Sequence, residues 1–183
     1  MNYWFTSDWH LNHKHVMQVC SRPFETVEFM DDTIIYNLYH MTKPGDQVYF
    51  LGDLSFNRNV GLEFLKKIPR NIHFHFIWGN HDKKMWKKDE LLKYCASVQW
   101  IKDIKINKQK ITLCHYMMSS WNCSHWNAWH LFGHHHNKTQ ADHAIGKTMS
   151  VCVDLHNFFP VSFDQVKAYM ETRHDNWDLV RMI

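Results

Sequence analysis

An α/β fold is what this chain predicts, on three observations. Strand-like and helix-like segments alternate through its first half, the arrangement expected when helices pack on a largely parallel sheet. Five short polar clusters punctuate it: Asp8-Trp9-His10, Gly52-Asp53, Gly79-Asn80-His81-Asp82, Cys114-His115 and Gly133-His134-His135-His136. Four of the five follow directly on apolar, β-like runs, and strand ends are where open α/β sheets carry their sites. The third observation is size: 183 residues, 45% hydrophobic, with six glycines and four prolines, suffice for one core, and a single domain over 1–183 is expected.

The first strand spans about Asn2 to Thr6. A helix follows at about Thr26 to Met41, where Val27, Met30, Ile34, Leu38 and Met41 recur at steps of three and four, and Lys43-Pro44-Gly45-Asp46 stops it. Gln47 to Leu51 is a strand leading into Gly52-Asp53, and Val60 to Ile68 reads as a helix ended by Pro69. The next strand runs to Trp78; His73 and His75 alternate with Phe74 and Phe76, which puts both histidines on one, polar, sheet face. Lys88 to Tyr94 is a short helix, and Val98 to Ile106 and Lys110 to Cys114 are two strands joined at Asn107-Lys108. Trp129 to Phe132 and Met149 to Asp154 are short strands. Ser162-Phe163-Asp164-Gln165 opens the last helix as a capping box, with Phe163, Val166 and Met170 as its buried stripe. The tail, Trp177 to Met182, reads equally as strand or coil.

Composition narrows the setting. The N-terminus has no basic region ahead of an apolar one, and no apolar run approaches the roughly 20 residues of a membrane span, so neither a secretory signal nor a membrane protein is expected. Five cysteines without a C-x-x-C spacing argue against a disulfide framework or a zinc ribbon and for a reducing cytoplasm. Net charge is only +3, too small by itself to indicate nucleic acid. Between Lys83 and Lys110, however, lysines outnumber acids nine to three, which makes either a solvated basic face or a field that gathers phosphorylated substrates.

Sixteen histidines raise the prospect of metal, because neutral imidazole is the commonest transition-metal ligand. Asp8 and His10, like His134 and His136, sit two apart, so in extended backbone each pair faces one side while Trp9 or His135 faces away. Taken singly, each cluster is ordinary: Gly-Asp makes turns, and Gly, Asn and Asp are usual loop residues. Their conjunction at the ends of separate strands supplies enough ligands for two ions. Mixed nitrogen and oxygen donors favour Mn, Fe, Zn, Co or Ni over Ca or Mg.

This ordered set closely resembles the calcineurin-like metallophosphoesterase family, whose pattern is D-x-H, G-D, G-N-H-D/E, H and G-H-x-H. Further likeness to a small bacterial or phage branch runs through Asp8-Trp9-His10-Leu11-Asn12-His13, Arg22-Pro23-Phe24 and Val153-Asp154 to Pro160-Val161-Ser162-Phe163. The resemblance implies two mixed β-sheets packed as a sandwich flanked by helices. It puts Asp8, His10 and His136 on one divalent ion and Asn80, His115 and His134 on the other, with Asp53 bridging; Mn is the foremost candidate. It further implies phosphoester hydrolysis by a hydroxide shared between the metals, with Asn80 steadying charge and His81 as general acid.

A nucleotide-type phosphodiester is the expected substrate, ahead of a phosphomonoester or a nucleic acid. The alternative from another class is a metal-binding regulatory or interaction domain with little catalysis. His13 and Arg22 are candidates for phosphate contact, Arg22 through its planar fork of donors, although it could equally anchor the loop before Pro23, and His13 could support a ligand. Two positions depart from the family: Phe56 stands where some branches have an aspartate that pairs with the catalytic histidine, and Met117 follows Tyr116 where Tyr-Pro is frequent. The stretch Trp121 to Trp129, bracketed by ligands, is expected to border the pocket, its tryptophans either stacking on a nucleobase or closing the core. A structural zinc module around Cys114, Cys123 and His125 lacks the usual spacing.

Overall fold

The computed structural model describes residues 1–137 and 145–174, so the tail at 177–182 lies outside the described residues. Strands β1 (Tyr3–Thr6), β2 (Gln47–Phe50), β3 (His73–Ile77) and β4 (Ser97–Gln99) run parallel, side by side. A second sheet joins β5 (Ile101–Ile106) and β6 (Gln109–Cys114) as a hairpin to β7 (Trp129–Phe132) and β8 (Thr148–Ser150), which continue parallel to β6. The two-residue β9 (Val161–Ser162) closes the first sheet antiparallel to β1, so both sheets are mixed.

Alternation along the strands builds two cores. Val48, Phe50, Phe74 and Phe76 face the helices, meeting Met30, Ile34 and Leu38 of α2 (Val27–Met41) and Phe64 and Leu65 of α3 (Arg58–Lys67). Phe5, Tyr49, Leu51 and Ile77 point the other way, against Ile106, Ile111, Leu113 and Leu131 of the second sheet. With both faces covered, the central strands of the first sheet read as nearly continuous apolar runs. No helix among the described residues is long and apolar enough to cross a membrane.

Caps fall where the residues demand. Thr26 accepts from the Phe29 amide at the start of α2. At the last helix, Phe163–Glu171, the Ser162 hydroxyl accepts from the Gln165 amide (3.2 Å) and the Gln165 side chain from the Ser162 amide (2.8 Å). A short helix α1 (Lys14–Val19), with Val16 as its one buried residue, has no periodic signal and went unanticipated. Lys88–Leu91 forms the short helix expected near Lys88.

Three strand expectations change. The run from Val98 to Ile106 is two strands, because residues 97–99 pair with β3 while 101–106 pair with β6. The chain changes sheets at Trp100, and Val98 accordingly joins the helix-side core while Ile106 joins the one between the sheets. The strand expected to reach Asp154 ends at Ser150, and Val153–Leu155 turns as a 3-10 helix. His75 lies on the inter-sheet side, stacked on Tyr49, where its two nitrogens meet Ser97 Oγ (2.8 Å) and Gln47 Oε1 (2.9 Å). Burial pushes its pKa down to about 4, so the ring is neutral.

Candidate metal centre

All five clusters arrive at the C-terminal ends of β1, β2, β3, β6 and β7. Backbone pairing continues past the strands, with the Asp8 amide donating to Gly52 O (2.9 Å) and the His10 amide to Asp53 O (3.0 Å). The Gly52 and Gly79 turns nest so closely that a Cβ on Gly79 would lie 2.1 Å from Asp53 Oδ1, and one on Gly52 2.5 Å from the Gly79 nitrogen. Only glycine allows that approach.

The extended backbone expected around the ligands is not what aims them. Asp8, His10, Asp53 and His134 all have left-handed backbone, with φ of 59°, 51°, 61° and 67°. Trp9 nevertheless points away, buried in the helix-side core with its indole N–H on Thr6 Oγ1 (2.8 Å).

The seven expected ligands converge in two halves. His10 Nε2 lies 3.2 Å from His136 Nε2, and Asp8 Oδ1 lies 3.9 Å from the same nitrogen. Across the site, Asn80 Oδ1 is 2.9 Å from His115 Nε2 and 3.0 Å from His134 Nδ1. Between the halves sits Asp53, whose Oδ2 is 3.7 Å from His10 Nε2 and 3.5 Å from His115 Nε2.

Donor chemistry at these positions fits cations. His115 Nδ1 donates to the Leu51 carbonyl oxygen (2.7 Å), which aims its Nε2 at Asn80 Oδ1, so that both atoms can offer lone pairs to one cation. Separations near 3 Å are those of neighbouring donors around an ion bound at ~2.0–2.2 Å. Burial raises the Asp53 pKa to about 6, with the adjacent Asp8 charge adding to the push. Although burial opposes it, the Asp154 carboxylate, Cys20 and Asp8 push His136 up to about 10, so a proton stands where the acids call for positive charge.

A supporting layer escaped the sequence reading. Asp154, in the 3-10 turn Val153–Leu155 that follows β8, accepts from His136 Nδ1 (2.8 Å), the carboxylate–histidine arrangement that orients metal ligands. Arg22 is corrected from phosphate contact to anchor. It is 5% exposed, and its donors go to Asp154 Oδ1 (2.7 Å) and Oδ2 (2.8 Å), Trp9 O and Asp8 O (2.8 Å each) and the Met30 sulfur. No N–H remains for a substrate. Against the upward push of burial, hydrogen bonds from His136 and Arg22 bring Asp154 down to about 2. Asp82 is fully buried and accepts the amides of Asp53 (2.7 Å), Leu54 (3.0 Å) and Gly79 (2.8 Å), tying the second and third clusters together. A carboxylate just past a glycine turn was the available signal for Asp82, and a carboxylate closing the apolar run from Met149 was the signal for Asp154.

His81 stands at the rim, half-exposed, with Nε2 3.8 Å from Asp53 Oδ2 and its amide on Asp53 Oδ1 (3.0 Å). Burial lowers its pKa below the ordinary histidine value. Phe56 occupies the place of the absent aspartate: its ring stacks on His13 at 3.7 Å and leans on His81 at 4.6 Å. Packing, rather than a hydrogen-bonded acid, therefore confines both rings.

The tryptophan segment does not border the site. Trp121 is buried against His130 with its N–H on Ala128 O (3.1 Å). The segment then runs to the N-terminal end of β6, where Gln109 donates to Asn127 O (2.7 Å), at the far end of that strand from His115. Trp126 is exposed there. No metal-sized donor group among the described residues includes Cys114, Cys123 or His125.

A family model of calcineurin-like phosphoesterases matches residues 1–178. The chain belongs to the calcineurin-like phosphoesterases. Its relatives include the uncharacterized protein MJ1445 of Methanocaldococcus jannaschii, 32% identical over 170 residues that make up 90% of this chain and 89% of that one. The structure of AQ665, a protein of unknown function from Aquifex aeolicus, superposes with a TM-score of 0.70 at 24% identity, over 92% of this chain and 98% of that one. The Pseudomonas putida nuclease MPE superposes with a TM-score of 0.47 at 18% identity, over 73% of this chain and 60% of that one. For a calcineurin-like phosphoesterase, a dinuclear metal centre is the family's usual equipment, and the His and Asp groups here are candidates to hold it.

Proposed function

We propose that the protein is a metal-dependent phosphoester hydrolase acting on a small nucleotide-type phosphodiester. The observation that carries this reading is the joining of two ligand groups through Asp53, with His81 beside the same carboxylate. Two divalent transition ions, Mn foremost and Fe, Zn, Ni or Co as alternatives, would supply Lewis acidity toward phosphoryl oxygens and a nucleophile at neutral pH. Asp8, His10 and His136 would hold one, Asn80, His115 and His134 the other, and Asp53 both.

His81 is placed to hand a proton to the leaving oxygen. Its lowered pKa leaves the ring largely neutral near pH 7, and the negative charge of an arriving phosphate favours the imidazolium that donates. His13, exposed in part beside Phe56, is the remaining candidate for phosphate contact. The exposed Lys83, Lys84, Lys87 and Lys88 follow the third cluster directly, and exposed rings of Phe56 and Tyr116 flank the ligands, which supports a substrate with both charge and an aromatic base. Free thiols at all five cysteines support a reducing, cytoplasmic setting.

Reconstitution with Mn²⁺ and assay on cyclic nucleotides, dinucleotides, aryl monoesters and single-stranded DNA tests the reading. Wild type should turn over the small diesters, and His81→Ala should lose ~10²- to 10⁴-fold in kcat with metal content retained. Preference for monoesters or long nucleic acid would move the substrate assignment. No turnover of any ester would leave a metal-binding regulatory domain.

A further inference from the structure

Behind His136, on the side turned from the other six ligands, lies a second group of donors. Cys20, His136 and Asp154 each offer one donor atom, all within 4.8 Å of one another. His136 Nδ1 is 2.8 Å from Asp154 Oδ2, and the Cys20 sulfur lies within 4.8 Å of the donor atoms of both. Cys152 Sγ adds a second sulfur, 3.7 Å from that Nδ1 and 3.2 Å from that Oδ2. Sulfur, imidazole and carboxylate in one cluster suit zinc-like, thiophilic cations, whereas the seven ligands of the dinuclear centre include no sulfur at all. Arg22 already fixes the carboxylate, and Cys20, at the end of α1, is only half-buried and so reachable from solvent.

We propose that Cys20, His136 and Asp154 form a separate site for a thiophilic divalent cation such as Zn²⁺ or Cd²⁺, and that filling it withdraws His136 from the dinuclear centre. In the Mn²⁺-loaded protein the ring keeps one proton, on Nδ1 toward Asp154; binding there releases the Cys20 thiol proton and the Nδ1 proton to solvent, and Nε2, freed from its ion, takes up one proton in return. A ring protonated on Nε2 cannot also ligate the ion beside His10 and Asp8. The two occupancies therefore compete for one imidazole. Binding stands on this geometry alone; the loss of activity that would follow rests on the hydrolase reading.

The test reads binding, not turnover. Cd²⁺ is titrated into Mn²⁺-loaded wild type, Cys20→Ser and Cys123→Ser, following the ultraviolet thiolate-to-Cd charge-transfer band and, by electron paramagnetic resonance, released Mn²⁺. Wild type and Cys123→Ser should develop the band together with Mn²⁺ release. Cys20→Ser should need at least about tenfold more Cd²⁺ for both. An unchanged titration in Cys20→Ser overturns the site, and a band that grows while Mn²⁺ stays bound overturns the competition. Failure of the protein to cleave any ester would leave both readouts intact.

Discussion

The two halves of the centre are built differently. Around Asp8, His10 and His136 the protein is dense: the Asp8 carboxylate takes the Ser7 hydroxyl and the His134 amide, and His136 rests on Asp154, which Arg22 holds with two hydrogen bonds. Around Asn80, His115 and His134 only His115 is both buried and backed, by the Leu51 carbonyl; Asn80 is half-exposed and His134 exposed, with Tyr116 at its side. The difference teaches that one half is braced by the protein while the other is left open to solvent; on the hydrolase reading, the open half is the one that would meet a substrate.

The comparison can be broken outright at the residue both halves share. Asp53→Asn removes the shared charge, and metal content by elemental analysis should fall in both halves, with activity at background. Asp154→Asn should discriminate between them. The braced half should bind metal about 10- to 100-fold more weakly in a metal titration while the open half keeps its affinity. Because the change strands the buried Arg22 guanidinium, denaturant unfolding should also report a loss of about 3–5 kcal/mol. Equal loss of affinity in both halves would mean that Asp154 supports the whole site.

Phe56→Ala frees the rings of His13 and His81 and loosens its packing on His10, but removes no ligand. It should lower kcat by up to about 10²-fold with KM nearly unchanged, and Phe56→Leu should restore most of it. Trp126→Ala sharpens the picture from the other end of the molecule: kcat/KM should not move, and stability should stay within about 0.5 kcal/mol.

What the sequence made legible was the part with a period or a motif. The helix at Val27–Met41, the strands leading to Asp8, Asp53, Asn80 and His115, and the capping box at Ser162 follow from local rules that the tertiary structure obeys. The sheet change at Trp100 could not be read there, because the apolar residues on either side of it are equally strand-like and only pairing partners separate them. Nor could the fate of Arg22 or Trp121. A guanidinium suits a phosphate and a buried carboxylate equally well, and a tryptophan bracketed by ligands in sequence can still turn its ring inward to pack on His130. Asp154 shows in the sequence only as a strand end and as part of a family likeness, since its role depends on an imidazole 18 residues away.

Left-handed backbone at Asp8, His10, Asp53 and His134 has a consequence for anyone transplanting this centre. Each such residue costs roughly 1–2 kcal/mol relative to ordinary conformations, a sum the surrounding pairing must cover before any ion arrives. Grafting the same seven side chains onto the tips of regular strands would aim them elsewhere. β-Branched replacements at those four positions would fight the backbone as well as the chemistry. The portable unit is a strand together with its left-handed turn, and a designer who copies the turns can vary the ligands more freely than one who copies the ligands can vary the turns.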